Sequence, residues 1–214
     1  NVILGDKNIT LFGKDHILEK LNNLFYKISL HSFFQVNPIQ TIKLYSTVLD
    51  FAQLKGDEVV LDAYAGAGSI SLWLARFAKK VIGIEGVKEA VENGIENSKI
   101  NNIVNFVFKQ GKVEDIIPDV LEKYNPEIVV LDPPRKGCED YIFDSIENSN
   151  VKKVIYVSCN PATLARDARL LYNAGYNLEK FQPVDMFPHT YHLETVALFV
   201  RSNVETHCNE SLQK

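Results

Sequence analysis

The chain has 214 residues, 46% apolar and 23% charged, a balance that excludes a disordered tail, a collagen-like repeat or a coiled coil. At ~100–200 residues per domain, this length makes one sizeable domain, or one domain with part of a neighbour. Lys and Arg number 23 against 27 Asp and Glu, a net charge of −4, so nucleic acid could be held only by a local basic patch or another domain.

Taken in order, the chain begins with short apolar pieces, Val2-Ile3-Leu4, Leu24-Phe25-Tyr26 and Phe33-Phe34, set between Gly, Asn and Lys. They predict short antiparallel strands, a β-rich remnant of another domain over residues 1–36. Thr41 to Leu54 reads as a linking helix with Ile42, Tyr45, Val48, Leu49 and Ala52 as its buried stripe. From Val59 onward, β-branched runs alternate with stretches of helical period. Strands are expected at Val59 to Tyr64, Lys80 to Glu85, Asn105 to Lys109, Ile128 to Asp132 and Val154 to Ser158. Helices are expected at Ile70 to Ala78, Val87 to Ile100, Val113 to Lys123 and Ala162 to Ala174, the last opened by Asn160-Pro161 and closed by Gly175. That alternation is the pattern of an α/β fold whose parallel sheet is covered on both faces. Two more strands, around Val184 to Phe187 and Thr195 to Arg201, predict a closing antiparallel hairpin, and the polar tail over residues 202–214 is expected to fray.

No apolar run approaches the ~18 residues of a membrane span. No basic stretch followed by an apolar one opens the chain, so a soluble, non-secreted protein is expected. Cys138, Cys159 and Cys208 contain no C-x2-C pair, which argues against a disulfide framework or a zinc site and fits a reducing, cytoplasmic compartment. The start at Asn1 rather than Met suggests an excised or processed segment.

Leu61-Asp62-Ala63-Tyr64-Ala65-Gly66-Ala67-Gly68-Ser69 puts two glycines between a strand and a helix, where the backbone must turn tightly and let a ligand approach. Position 71 is Ser where a dinucleotide fingerprint needs glycine, and no Gly-Lys-Ser/Thr follows for a phosphate cradle, so NAD and ATP both lose ground. Glu85 ends the second strand of the alternating region and is suited to accept both hydroxyls of a ribose; Asp132 ends the fourth at the same sheet edge. A cofactor with ribose and adenine but no pyrophosphate satisfies all of these features, and S-adenosylmethionine is that molecule. Cys159 follows the fifth strand and precedes a helix start, a place expected to lower its pKa and favour the thiolate.

Five ordered motifs then carry a resemblance. They are Ser32-Phe33-Phe34-Gln35-Val36-Asn37, Asp62 to Gly68, Leu131-Asp132-Pro133-Pro134-Arg135-Lys136-Gly137, Val157-Ser158-Cys159-Asn160-Pro161 running to Asp167, and Asp185-Met186-Phe187-Pro188-His189-Thr190 followed by His192-Leu193-Glu194. From Ser32 to Arg201 the chain resembles the RNA 5-methyluridine methyltransferases. The resemblance implies a Rossmann-like class I methyltransferase fold over residues 37–201, a mostly parallel seven-stranded sheet with a C-terminal antiparallel hairpin. It implies methyl transfer from S-adenosylmethionine to uracil C5 in tRNA or 23S rRNA, with Cys159 as nucleophile and Glu194 as base. It assigns Gln35, Tyr64, Glu85 and Asp132 to the cofactor, with the Gly66 and Gly68 backbone against the methionine moiety and Ser69 where some members carry Asn. Arg135, Lys136 and Arg166 are the candidates for RNA phosphates, and on pattern Phe33 and Phe34 are core residues rather than base platforms.

Uracil C5 is too weak a nucleophile to attack a methyl sulfonium, so a thiolate first adds at C6, and a base later removes the C5 proton. Members of the family resemble three-part proteins with an RNA-binding barrel and, in many, an iron–sulfur centre upstream; this segment carries neither and no metal site. Cys in many members is Ala65 here, a non-catalytic position. The partner expected is RNA, with no membrane and no obligate protein partner. RNA cytosine-C5 methylation and a non-catalytic cofactor- or RNA-binding module are the alternatives.

Overall fold

Two antiparallel strands, β1 (His16–Leu21) and β2 (Leu24–Ser29), open the described part of a computed structural model, residues 9–30 and 32–202. The predicted strand at Val2 to Leu4, Cys208 and the predicted frayed tail beyond Ser202 lie outside the described residues. Leu24, Tyr26 and Ile28 alternate inward along β2 and join the core.

Helix α1 (Pro38–Ala52) starts three residues before the predicted helix, because the Asn37 side chain accepts from Gln40 N and Pro38 fits the first turn. The chain then runs β3 (Val59–Ala63), α2 (Ser69–Ala75), β4 (Lys80–Glu85), α3 (Lys88–Ile100), β5 (Phe106–Gln110), α4 (Val113–Tyr124) and β6 (Ile128–Leu131). It continues through α5 (Asp140–Glu147), β7 (Lys153–Ser158), α6 (Pro161–Asn173), β8 (Tyr176–Val184) and β9 (Glu194–Arg201). The seven strands from β3 on form one sheet in the order β5-β4-β3-β6-β7-β9-β8. The first five are mutually parallel, and β9 pairs antiparallel with both β7 and β8. This is the expected Rossmann-like α/β methyltransferase fold with its C-terminal antiparallel hairpin. One face of the sheet buries α1, α2 and the β1–β2 hairpin, and the other buries α4, α5 and α6.

Three features differ from expectation. The penultimate strand is Tyr176–Val184, not the segment around Val184 to Phe187; it lies at the sheet edge with every residue between its two ends exposed, so no apolar alternation marks it. Helix α5 was not expected; its buried Ile142, Phe143 and Ile146 make a face only two turns long. Phe33-Phe34 is not a strand: Phe33 is 70% exposed, against the core placement expected, while Phe34 packs beside Tyr26 at 5.4 Å.

The hairpin is fastened to α3 by side chains acting as a strand would. Asn101 accepts from Phe25 N at 2.8 Å and donates to Phe25 O at 2.7 Å; Asn97 accepts from Lys27 N at 2.6 Å and donates to Lys27 O at 3.2 Å. One helical turn of four residues rises about 6 Å, close to the roughly 6.6 Å of two strand residues, so asparagines one turn apart meet alternate residues of β2. Asn93 continues the row to the Ser29 hydroxyl. Asn97, fully buried, also donates to Ala67 O in the glycine loop at 3.3 Å. Replacing Asn97 with Ala leaves Lys27 N–H and C=O without these partners, an expected loss of about 1–3 kcal/mol, read as a lower urea midpoint. Lys99→Ala on the exposed face of the same helix is expected to move it by less than about 0.5 kcal/mol.

Candidate active site

Strands β3, β4, β6 and β7 run parallel, so their carboxyl ends share one sheet edge, and antiparallel β9 begins there. At the end of β3, Tyr64 (φ 65°), Gly66 (φ 55°) and Gly68 (φ 79°) all lie in the left-handed region, which turns the chain sharply into α2. A Cβ at Gly66 would meet nothing within 4 Å, so space is open beside the loop, whereas one at Gly68 would press on the Phe106 ring at 3.1 Å. Glu85, at the end of β4, fixes this loop: one carboxylate oxygen accepts from Gly66 N at 2.9 Å and the other from Val87 N at 2.7 Å. Each oxygen keeps a lone pair for a further donor. From behind, Tyr45 donates to Ser69 Oγ at 2.7 Å and Tyr26 to Ser69 O at 3.2 Å. Tyr64 turns its hydroxyl to Glu114 at 3.1 Å, and Gln35 is buried near the start of α1.

Beneath the loop lies a residue that sequence reasoning quoted but did not use. Asp62 is buried in β3; one oxygen accepts from the Ser71 hydroxyl and the other, Oδ1, is buried without a partner. Burial, helped by the nearby Glu85 charge, pushes its pKa up to about 7 against the stabilising Ser71 contact. The signal was available, since an acidic residue inside an otherwise apolar strand needs a reason.

The second half of the site is set by the β7–β9 register. Ser158 pairs with Thr195, so the residue after one and the residue before the other, Cys159 and Glu194, flank the same rung. Glu194 is 5% exposed, and burial raises its pKa while Arg135 draws it back. Asp132, just past β6, is raised well above the ordinary carboxyl range by desolvation and then by Glu194 and Asp62. Cys159 is half-buried in a cleft of about 300 Å³ walled also by Arg135, Tyr191 and His192. Its pKa is raised, not lowered as expected: burial leads, Glu194 and Asp132 add to it, and Arg135 opposes. The helix end loses because α6 starts at Pro161, two residues on, and its first free amide, Ala162 N, is already capped by the Asn160 side chain at 3.0 Å.

Of the three basic candidates, Arg166 is committed internally, to Asp167 and to Cys138 O at 2.8 Å, and Lys136 pairs with Glu139 at 2.7 Å. Arg135 is exposed and shares the cleft with Cys159. Asp167, unread in the sequence, is the buried anchor of this corner. It accepts from Cys138 N at 2.9 Å and from the Tyr156 hydroxyl, and so ties the Pro133 to Cys138 loop to α6. A larger groove of about 580 Å³ between α4 and α5 holds none of these residues. No cluster of His, Cys, Asp and Glu suited to a metal occurs among the described residues.

The family profile described as tRNA (Uracil-5-)-methyltransferase matches residues 4–202. A Clostridium tetani protein described as an uncharacterized RNA methyltransferase is 51% identical over 199 residues, 92% of this chain and 43% of that protein. One from Clostridium acetobutylicum, described in the same way, is 52% identical over 202 residues, 94% of this chain and 44% of that protein. The crystal structure of Pyrococcus abyssi tRNA (uracil-54, C5)-methyltransferase in complex with S-adenosyl-L-homocysteine superposes with a TM-score of 0.77 at 31% identity, covering 92% of this chain and 49% of that one. The chain thus spans less than half the length of the curated relatives it matches.

A buried acid with a raised pKa favours folding most when protonated, so its contribution is full below the unfolded value of 3.8 and is lost as pH rises to about 7. Asp62→Asn is therefore expected to raise the Tm at pH 8 and to flatten the fall in Tm between pH 4 and 7, as measured by thermal denaturation. An unchanged pH profile would show that Asp62 is not the group responsible.

Proposed function

This chain belongs to the tRNA (uracil-5-)-methyltransferase family, and from that membership we propose that it is the catalytic part of an S-adenosylmethionine-dependent enzyme that methylates C5 of a uridine in tRNA or 23S rRNA. The observation that carries the proposal is the meeting at one sheet edge of the glycine loop after β3 with the Ser158–Thr195 rung that Cys159 and Glu194 flank. Free thiols at Cys138 and Cys159 fit a reducing cytoplasm, and no described helix is long and apolar enough to cross a membrane.

S-adenosyl-L-homocysteine in the Pyrococcus abyssi enzyme supports S-adenosylmethionine as the methyl donor here. The chain's own residues fit such a group: the space beside Gly66 is open, Asp62 Oδ1 lacks a partner, and Glu85 has accepting capacity left for ribose hydroxyls. Gln35, Tyr64, Gly66, Gly68, Ser69, Glu85 and Asp132 would hold it. When bound, it supplies an electrophilic methyl group on a positive sulfonium, a charge suited to a corner where Asp62, Asp132 and Glu194 are all pushed up by burial.

The protein's part in the reaction follows from its electrostatics. The Cys159 thiol must first lose its proton, and Arg135 is the positive charge that favours this against burial and two carboxylates. The thiolate adds to C6 of the uracil, which makes C5 a nucleophile able to take the methyl group. Glu194 then accepts the C5 proton; burial makes it a stronger base than an ordinary carboxylate, as that step requires. Loss of that proton re-forms the C5–C6 double bond as the C6–S bond breaks, leaving 5-methyluridine and a free thiolate. Cytosine-C5 methylation would share both the thiolate addition and the need for a base at C5; the match to the uracil-5 family favours uridine.

The test uses the full-length protein with unmodified tRNA and 23S rRNA transcripts and methyl-labelled cofactor, followed by digestion to nucleosides. Label is expected in 5-methyluridine on one of the two RNAs; label in 5-methylcytidine would overturn the reading. Cys159→Ala is expected to abolish transfer, a loss of at least about a thousandfold, with cofactor affinity by calorimetry within about twofold. Glu194→Gln is expected to stop turnover after addition, seen as a protein–RNA band stable to denaturation.

A further inference from the structure

This inference rests on the reading that the Cys159 cleft receives a uridine of an RNA chain, and it concerns the nucleotide beside that uridine. Tyr191 is 91% exposed, yet the backbone beneath it is fixed. The Thr190 amide and hydroxyl both donate to Phe187 O, at 3.1 and 2.7 Å, and His192 N donates to Thr190 Oγ1 at 3.1 Å. His189 sits at φ 67°, a conformation that a non-glycine residue keeps only when its surroundings impose it. A rigid turn therefore presents a large ring to water, an arrangement that gives the fold no burial in return.

The rings form a ladder. Phe187 packs against the core, His192 meets it edge-on at 6.1 Å, and Tyr191 lies on His192 at 4.2 Å with 37° between the planes. The ladder ends in the wall of the cleft that holds Cys159 and Arg135. A uridine turned out of its stack to reach a nucleophile set in a cleft deprives its neighbour of a stacking partner, and unstacked bases are received on aromatic rings with little regard to sequence. We infer that Tyr191, backed by His192, is a stacking platform for the nucleobase adjacent to the uridine at Cys159. Tyr191 then contributes to RNA affinity and not to methyl transfer itself.

The experiment uses the full-length protein and an unmodified in vitro transcript of tRNA or 23S rRNA, whichever the wild type methylates. Tyr191→Ala is expected to raise KM for that RNA by about five- to a hundredfold, the loss of one base–aromatic stack. The kcat and the S-adenosylmethionine affinity by calorimetry are expected to stay within about twofold. Tyr191→Phe and Tyr191→Trp should restore the wild-type KM, and Tyr191→Leu should not. An unchanged KM in Tyr191→Ala overturns the platform, as does an equal fall in kcat and cofactor affinity, which would make the ring a support for the site. A wild-type protein that methylates neither RNA overturns the underlying reading, and does so before any variant is compared.

Discussion

Antiparallel pairing of β9 against β7 is the constraint on which the rest of the site depends. The parallel strands deliver Glu85, Asp132, Cys159 and the glycine loop to one edge, but they deliver only carboxyl ends. A strand running the other way brings its amino end to that edge, and Glu194 is its first residue. The ladder hydrogen bonds fix Ser158 opposite Thr195. A one-residue slip would turn every side chain of β9 to the other face. It would also take Val196 and Leu198 out of the core on one side, and Ala197 and Phe199 out of it on the other. The register is therefore held by core packing, and Cys159 and Glu194 inherit their relation from it.

The same edge concentrates unfavourable electrostatics. Asp62, Asp132 and Glu194 all have raised pKa values, with burial as the first cause, and Cys159 is raised by burial and by two of them. Such a cluster costs stability, and a positive ligand together with a proton transfer, as proposed above, would make use of it. Arg135 is the charge that works against it, lowering both Cys159 and Glu194. The loop that carries Arg135 is held by Asn160 Nδ2, which donates to Arg135 O at 3.2 Å, and by buried Asp167, which accepts from the amide of Cys138, three residues beyond Arg135. The hairpin and α3 brace the opposite side, where Asn97 links β2 to the Ala67 carbonyl.

What the sequence made legible is what short-range chemistry dictates. The parallel strands are β-branched runs buried on both faces, and the glycine loop, Glu85 and Asp132 follow from where those runs stop. Edge strand β8 was misplaced because its residues between Tyr176 and Val184 are all exposed, so no buried alternation marks it, and it carries a Pro, which reads against a strand. Helix α5 was missed because three buried side chains at Ile142, Phe143 and Ile146 are too few to separate from a loop. Phe33 was expected in the core on hydropathy alone, and only tertiary placement shows it exposed. The Cys159 pKa went astray for a related reason. The helix start was readable from Asn160-Pro161, but the two carboxylates that outweigh it come from β9 and from the end of β6, remote in sequence. The asparagine row on α3 was equally hidden, since its partners are backbone groups far along the chain.

The central claim is that the Cys159 sulfur bonds to the RNA base during the reaction. Incubating the full-length protein with S-adenosylmethionine and 5-fluorouridine-substituted RNA, then digesting and sequencing the adduct by mass spectrometry, tests it most directly, because fluorine at C5 cannot leave as a proton and traps the bonded state. The account predicts one nucleotide attached at Cys159, dependent on the cofactor. An adduct at Cys138 or Cys208, or methyl transfer with no adduct at all, would contradict it.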